Sequence, residues 1–258
     1  MMPRVLLLLV ALACAPAFAQ ALRLPAAPDA AFSPKIGTPL PLDAVLRDEK
    51  GIAAPLRTWF GRVPVVLVPG YWRCTSLCGT QFEGVLQALA LSGLKAGEYR
   101  LLGMSIDAHE DAGLARARHA AYAGLLPGGG ADLALLDSDA RTLGRIEGAL
   151  GYRTVPGADG GQIAHAAGFV VVAPDGRIAR FFPGVRFDPV ELRGAVRAAR
   201  EGVPQAQGFA TRLALLCAHL DPVAGRHTEA ALAAVRIAAL AVALALAGWL
   251  WRRRGGKA

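Results

Sequence analysis

The sequence predicts an α/β domain: a mixed sheet with helices on both faces, followed by one C-terminal transmembrane helix. Three observations carry this. Short apolar, β-rich runs alternate with segments of helical period through the middle of the chain. A Pro174-Asp175-Gly176 turn then joins two further strand-like runs, which adds a hairpin to the sheet. An apolar segment, 231–251, stands near the C-terminus with Arg252, Arg253, Arg254 and Lys257 behind it.

Taken in order, residues 1–19 read as a secretory signal peptide. Arg4 opens it, Val5 to Ala13 is the apolar stretch, and Ala17-Phe18-Ala19 is an A-x-A exit. An uncleaved anchor is the other reading, but the apolar stretch is short for a bilayer. Cys14 leaves with the signal. Residues 20–34 are rich in Ala and Pro and read as a linker. The folded domain is placed at 35–200, long enough for a real core. Within it, strands are expected at Arg62 to Pro69, Tyr99 to Ile106 and Leu133 to Leu136. Helices are expected at Leu77 to Leu91, Asp111 to Leu126 and from a Ser138 or Asp139 cap to about Leu150. The hairpin spans Phe169 to Ala173 and Arg177 to Phe182. Asp188 caps a last helix, with Pro189 at its first position, running to about Arg200.

Residues 201–230 form a juxtamembrane segment holding Cys217 and His219. Residues 231–251 form the membrane helix, in which Arg236 snorkels and Trp249 and Trp251 sit at the interface. The alternative for this segment is a buried amphipathic helix, which the all-round apolarity of Leu240 to Leu250 disfavours. Residues 252–258 are a basic cytoplasmic tail. In a bacterium this places the chain in the inner membrane with its globular part in the periplasm.

Composition narrows the function. The chain has 258 residues, 54% of them hydrophobic and 19% charged, against roughly 25% charged in an average soluble domain. Extensive disorder is excluded. The net charge is +8, of which Arg4 supplies one and the C-terminal tail four, leaving +3 for the rest. No basic patch with interleaved aromatics accompanies it, which argues against nucleic acid as a partner.

Three cysteines remain after export: Cys74, Cys78 and Cys217. Cys74 and Cys78 stand between a strand and a helix. A helix N-terminus stabilises a thiolate, and Arg73 adds a positive charge. Such a pair fits a reversible disulfide, a soft-metal site, a structural disulfide or two buried thiols. If the loop is helical, i, i+4 spacing puts both sulfurs on one face. Tyr71 and Trp72 either shield the thiols, receive a partner or belong to the core. Cys217 and His219 are a second metal pair, a resolving thiol with a neighbour, or structural. His109 is an exposed loop histidine or an extra ligand.

The order of these motifs resembles the SCO/SenC family, thioredoxin-like proteins of cytochrome oxidase copper-centre assembly. The residues that carry the resemblance are Gly70-Tyr71-Trp72-Arg73-Cys74-Thr75-Ser76-Leu77-Cys78, then Ser105-Ile106-Asp107, then His165-Ala166-Ala167-Gly168-Phe169 leading to Ala173-Pro174-Asp175-Gly176-Arg177. Cys217-Ala218-His219-Leu220-Asp221-Pro222 and the tail anchor resemble a bacterial branch anchored at its C-terminus. The resemblance implies a thioredoxin-like sheet and one copper ion, Cu(I) or Cu(II), held by Cys74, Cys78 and His165. Asp107 either supports that site or caps the turn after its strand. Two thiolates and an imidazole suit Cu(I) and can also hold Cu(II). Thr75, Gly79 and Ala108 stand where the family often has Pro, a departure that bears on thiol tuning.

The function implied is a tethered assembly factor that delivers copper to the copper-bearing subunit of a cytochrome oxidase, or to another periplasmic copper protein. The alternative is a thiol–disulfide oxidoreductase using Cys74 and Cys78 as a redox pair on a partner's cysteines. A single-thiol peroxidase lacks its motif. A non-catalytic scaffold leaves an exposed cysteine pair unused.

Overall fold

Strand β4, Val65–Gly70, is buried at every residue and forms the centre of the main sheet. In the computed structural model the described residues are 30–74, 77–110, 112–126, 128–156 and 162–203, with only the backbone described at 77 and 78. Among them, five strands form the main sheet in the order β6-β5-β4-β8-β9. These are β5 (Arg100–Ser105), β6 (Leu133–Leu136), β8 (Gly168–Val172) and β9 (Ile178–Pro183), with β4 in the middle. β4, β5 and β6 run parallel, while β8 and β9 run antiparallel to their neighbours, so the sheet is mixed as expected.

Parallel neighbours need crossover connections. Helix α1 (Leu77–Ser92) links β4 to β5, and α2 (Ala112–Ala123) links β5 to β6. The strand period of two then sorts the core. Val66, Val68, Leu101, Phe169 and Val171 share one cluster with Phe82, Val85, Leu86 and Leu89 of α1 and Leu192 and Val196 of α4 (Pro189–Arg200). The alternate residues Leu67, Leu102, Met104, Val170 and Phe181 are buried on the opposite face. There the Phe32 ring meets Phe181 at a centroid distance of 4.6 Å.

Two helix caps match the sequence reading. Asp139, rather than Ser138, caps α3 (Ala140–Leu150) by accepting from the N–H groups of Arg141 and Thr142. Asp188 caps α4 from Val190 and Glu191, with Pro189 opening the helix. α3 ends at Gly151, whose φ is +60° and whose missing Cβ would lie 2.4 Å from the Ser33 carbonyl oxygen. Only glycine fits both demands.

The N-terminal part differs from expectation. Strand β1 (Ala31–Phe32) pairs antiparallel with β7 (Tyr152–Arg153), and Phe32 is buried. Residues 31 and 32, assigned above to a linker, therefore belong to the fold; burial of one aromatic ring holds a strand too short to leave a sequence pattern. A second hairpin, β2 (Val45–Arg47) with β3 (Ala53–Pro55), precedes a 3-10 turn at Leu56–Trp59. It was not predicted.

No helix among the described residues is long and apolar enough to cross a membrane. The expected signal peptide 1–19, the membrane segment 231–251, the tail 252–258, and Cys217 and His219 lie outside those residues.

Candidate metal centre

The loop that follows β4 carries Cys74, and its backbone is gripped from several sides. Trp72 is buried, its ring edge-on to Phe82 at 6.4 Å. It sits over Gly103 of β5, where a Cβ would come within 2.7 Å of the indole. A side chain at 103 and Trp72 in its place exclude each other. Trp72 is thus a core residue of the loop.

Below it lies Glu110, a buried carboxylate that sequence reasoning did not single out. Its Oε2 accepts the Trp72 N–H at 2.8 Å and the Ser105 hydroxyl at 2.6 Å, and its Oε1 accepts the Arg73 N–H at 2.5 Å. Burial pushes the Glu110 carboxyl up, and the donated bonds pull it back. Arg118 of α2 holds the other polarity. Its Nε donates to the Trp72 carbonyl at 3.0 Å and a terminal nitrogen to the Cys74 carbonyl at 3.3 Å. Little in the sequence marks either residue: Glu110 follows the strand end that carries Asp107, and Arg118 reads as an outer-face helix arginine.

Asp107 is buried and engaged. It pairs with the Arg73 guanidinium, and its Oδ1 accepts the His109 N–H at 2.9 Å. Burial alone would raise its carboxyl; Arg73 and the His109 groups hold it below the usual carboxylate range. Asp107 therefore both closes the turn after β5 and ties down the residue before Cys74. The Arg73 guanidinium, expected to add positive charge beside the thiols, is paired with this carboxylate, with Glu110 3.9 Å from its Nε. The His109 side chain is 89% exposed.

Cys74 is buried, against the expectation of an exposed pair. Its N–H turns back to the Tyr71 carbonyl at 3.3 Å, which tucks the residue under the loop. The Cys78 backbone lies in the first turn of α1; its side chain is outside the described residues, as is Thr75. Gly79 is helical, with open space around its Cα.

His165 comes from the segment entering β8. The register of β4 on β8 pairs Leu67 with Val170, so the end of β4 and the start of β8 lie at the same end of the sheet. Gln81 of α1 staples them, its buried Nε2 donating to Pro69 O at 3.0 Å and to Gly168 O at 2.9 Å. The Tyr71 ring meets the His165 ring edge-on at 5.9 Å. His165 Nδ1 lies 2.8 Å from the Tyr152 hydroxyl and 3.2 Å from Ala166 O. Burial pushes the imidazole below its ordinary range, and the Ala166 carbonyl opposes this. The cysteine loop, Asp107 and His165 thus share one end of the sheet.

Among the described residues, no three His, Cys, Asp or Glu side chains are grouped to hold a metal. Of the expected ligands, Cys74 and His165 are described. A thiol and an imidazole are donors that fit a soft metal such as copper.

No protein-family model matches the sequence, and no curated protein matches it. Solved structures do match in fold. A protein from Aquifex aeolicus VF5 proposed to act in electron transfer is 21% identical, with a TM-score of 0.59 over 68% of this chain and 99% of that one. ScoI of Arabidopsis thaliana, solved with copper bound, is 15% identical at a TM-score of 0.51, covering 65% of this chain and 99% of that one. A SCO1/SenC family lipoprotein of Bacillus anthracis is 13% identical at a TM-score of 0.50, covering 65% and 98%. The described domain shares the mixed α/β, thioredoxin-like fold of these three proteins.

Proposed function

We propose that this chain is a SCO/SenC-type assembly factor that carries one copper ion on Cys74, Cys78 and His165. From a membrane tether it passes that ion to the copper-bearing subunit of a respiratory oxidase, or to another exported copper protein. The observation that carries the reading is the shared sheet end. Gln81 bonds to Pro69 O, five residues before Cys74, and to Gly168 O, three residues after His165, so two pieces of chain far apart in sequence meet at that end. The likeness in fold to a copper-bound ScoI supports it. Copper here is cargo, so the site must both hold it and release it. Neutral imidazole and thiolate donors allow both, because each can be regained by a proton.

The test is an anaerobic Cu(I) titration of the reduced chain against a competing chelator. One tightly held equivalent is expected, lost in Cys74→Ser and weakened in His165→Ala. No tight copper, together with a readily reversible Cys74–Cys78 disulfide, overturns this reading and leaves a thiol–disulfide oxidoreductase.

A further inference from the structure

At the end of the sheet opposite Cys74, two arginines share a pocket. Its volume is about 290 Å3, and Thr58, Trp59, Phe60, Arg62, Val63 and Arg100 line it. Strand β4 separates it from the cysteine loop, since Val63 precedes the strand and Cys74 follows it. The length of that strand sets the two roughly 16 Å apart or more. The local fold explains why these residues meet. The 3-10 turn at Leu56–Trp59 ends at Phe60, and Gly61, with φ at +102°, redirects the chain towards β4. The Gly61 N–H donates to the Pro174 carbonyl at 3.0 Å. Arg100 opens β5 beside Val65, and one of its terminal nitrogens donates to the Thr58 carbonyl at 3.3 Å.

The charges around the pocket do not balance. None of its lining residues is acidic. The neighbouring carboxylates are engaged elsewhere: Glu98 accepts the Lys95 N–H, Asp132 accepts the Gly97 N–H, and Asp175 pairs with Arg177. Among the described residues neither Arg62 nor Arg100 has an ion pair, and the backbone N–H groups of Arg62 and Val63 have no acceptor. Two permanent positive charges and two spare backbone donors thus converge on one concavity, a site for an anion. A carboxylate brings one charge and one bidentate edge, enough for a single guanidinium. A phosphate with a free end brings about two charges and three acceptor oxygens, enough for both arginines.

We propose that this pocket binds a phosphate group through Arg62 and Arg100. The group is inorganic phosphate or the head of a lipid that ends in a phosphate monoester; both present the same oxygens. The site needs no metal and stands apart from the copper reading.

The test is a titration of inorganic phosphate into the 15N-labelled full chain in neutral phosphatidylcholine nanodiscs, at constant ionic strength. Saturable shifts are expected in the amide resonances of Arg62 and Val63. Arg62→Gln and Arg100→Gln should each weaken the binding by about 10-fold or more, with amide resonances away from the pocket unmoved. A second arm replaces added phosphate by nanodiscs containing phosphatidic acid. Shifts with inorganic phosphate alone uphold the site and make its ligand soluble; the same shifts with phosphatidic acid uphold it and make the ligand a lipid head. No saturable shift in the wild-type chain in either arm overturns the proposal, whether or not the variants fold. So do equal shifts with chloride, or binding that survives both substitutions unchanged.

Discussion

Glu110 Oε2 accepts the backbone N–H of Trp72 at 2.8 Å, and this bond ties the turn after β5 to the residue two before Cys74. The other oxygen takes the N–H of Arg73, so a single side chain satisfies two consecutive backbone donors of the cysteine loop. Glu110→Gln keeps the shape but turns one acceptor into a donor. One buried N–H then loses its partner, a cost of about 2 kcal/mol. Urea denaturation should show a lower midpoint with an unchanged slope. Unchanged stability would remove Glu110 from its role in holding the loop.

Gly103 decides where Trp72 can sit. A methyl group there meets the indole at 2.7 Å and Leu135 at 2.6 Å, both inside a packed core. Gly103→Ala should therefore cost about 2 kcal/mol by overpacking. Displacing Trp72 also pulls on Glu110 and Arg118, which hold its N–H and carbonyl. Near-ultraviolet circular dichroism should change along with stability. If stability falls with the tryptophan signal untouched, Leu135 has yielded instead and the loop is independent of Gly103.

The sheet centre was legible because its signals are local. Val65 to Val68 is an unbroken apolar run, and Asp188-Pro189 announces a helix start by side chain and fixed φ. The β1–β7 pair was not legible, since two residues carry no period and only the pocket between Tyr152 and Phe181 explains Phe32. The β2–β3 hairpin failed for a similar reason: its strands are three residues long, and its turn is closed by Asp48 accepting from the N–H groups of Lys50 and Ile52. At the site, Cys74 and His165 stood out by residue type and motif. Glu110, Arg118 and Tyr152 act through partners 13 to 46 positions away in sequence, a relationship that only the folded sheet end creates.

Glu147 gives the fold a pH dependence. It lies in α3 with Oε1 buried and no hydrogen-bond partner for that atom among the described residues. Burial pushes its carboxyl up to about 7, against a bond from Thr154 that lowers it. The folded chain then holds this proton more tightly than the unfolded chain does. The stability this group contributes is full below the unfolded value near 4.5 and is lost as pH rises through 7. Glu147→Gln cannot ionise, so it should match the wild type at pH 4.5 and exceed it at pH 8 by about 2 kcal/mol. Equal stability of the two chains at both pH values would show that Glu147 ionises freely in the fold.

Asp137 and Arg47 link the unpredicted hairpin to the edge strand of the sheet. Their backbones exchange two hydrogen bonds of 2.9 Å each. Beside them, Arg47 Nε and a terminal nitrogen reach the same Asp137 oxygen at 2.8 and 2.7 Å. The Asp137 side chain is fully buried while Arg47 is half exposed, so the two halves of the pair differ in what their loss leaves behind. Removing the arginine takes its charge partner from a fully buried carboxylate; removing the carboxylate leaves an arginine that water can solvate. Arg47→Met should therefore cost about 3 kcal/mol, and Asp137→Asn less. In the double variant no buried charge is left to compensate. Its cost should fall short of the sum of the single costs by about 1 kcal/mol or more, the signature of direct coupling. Strict additivity in this cycle would mean that the backbone bonds alone hold the hairpin against β6, with the ion pair contributing nothing to the attachment.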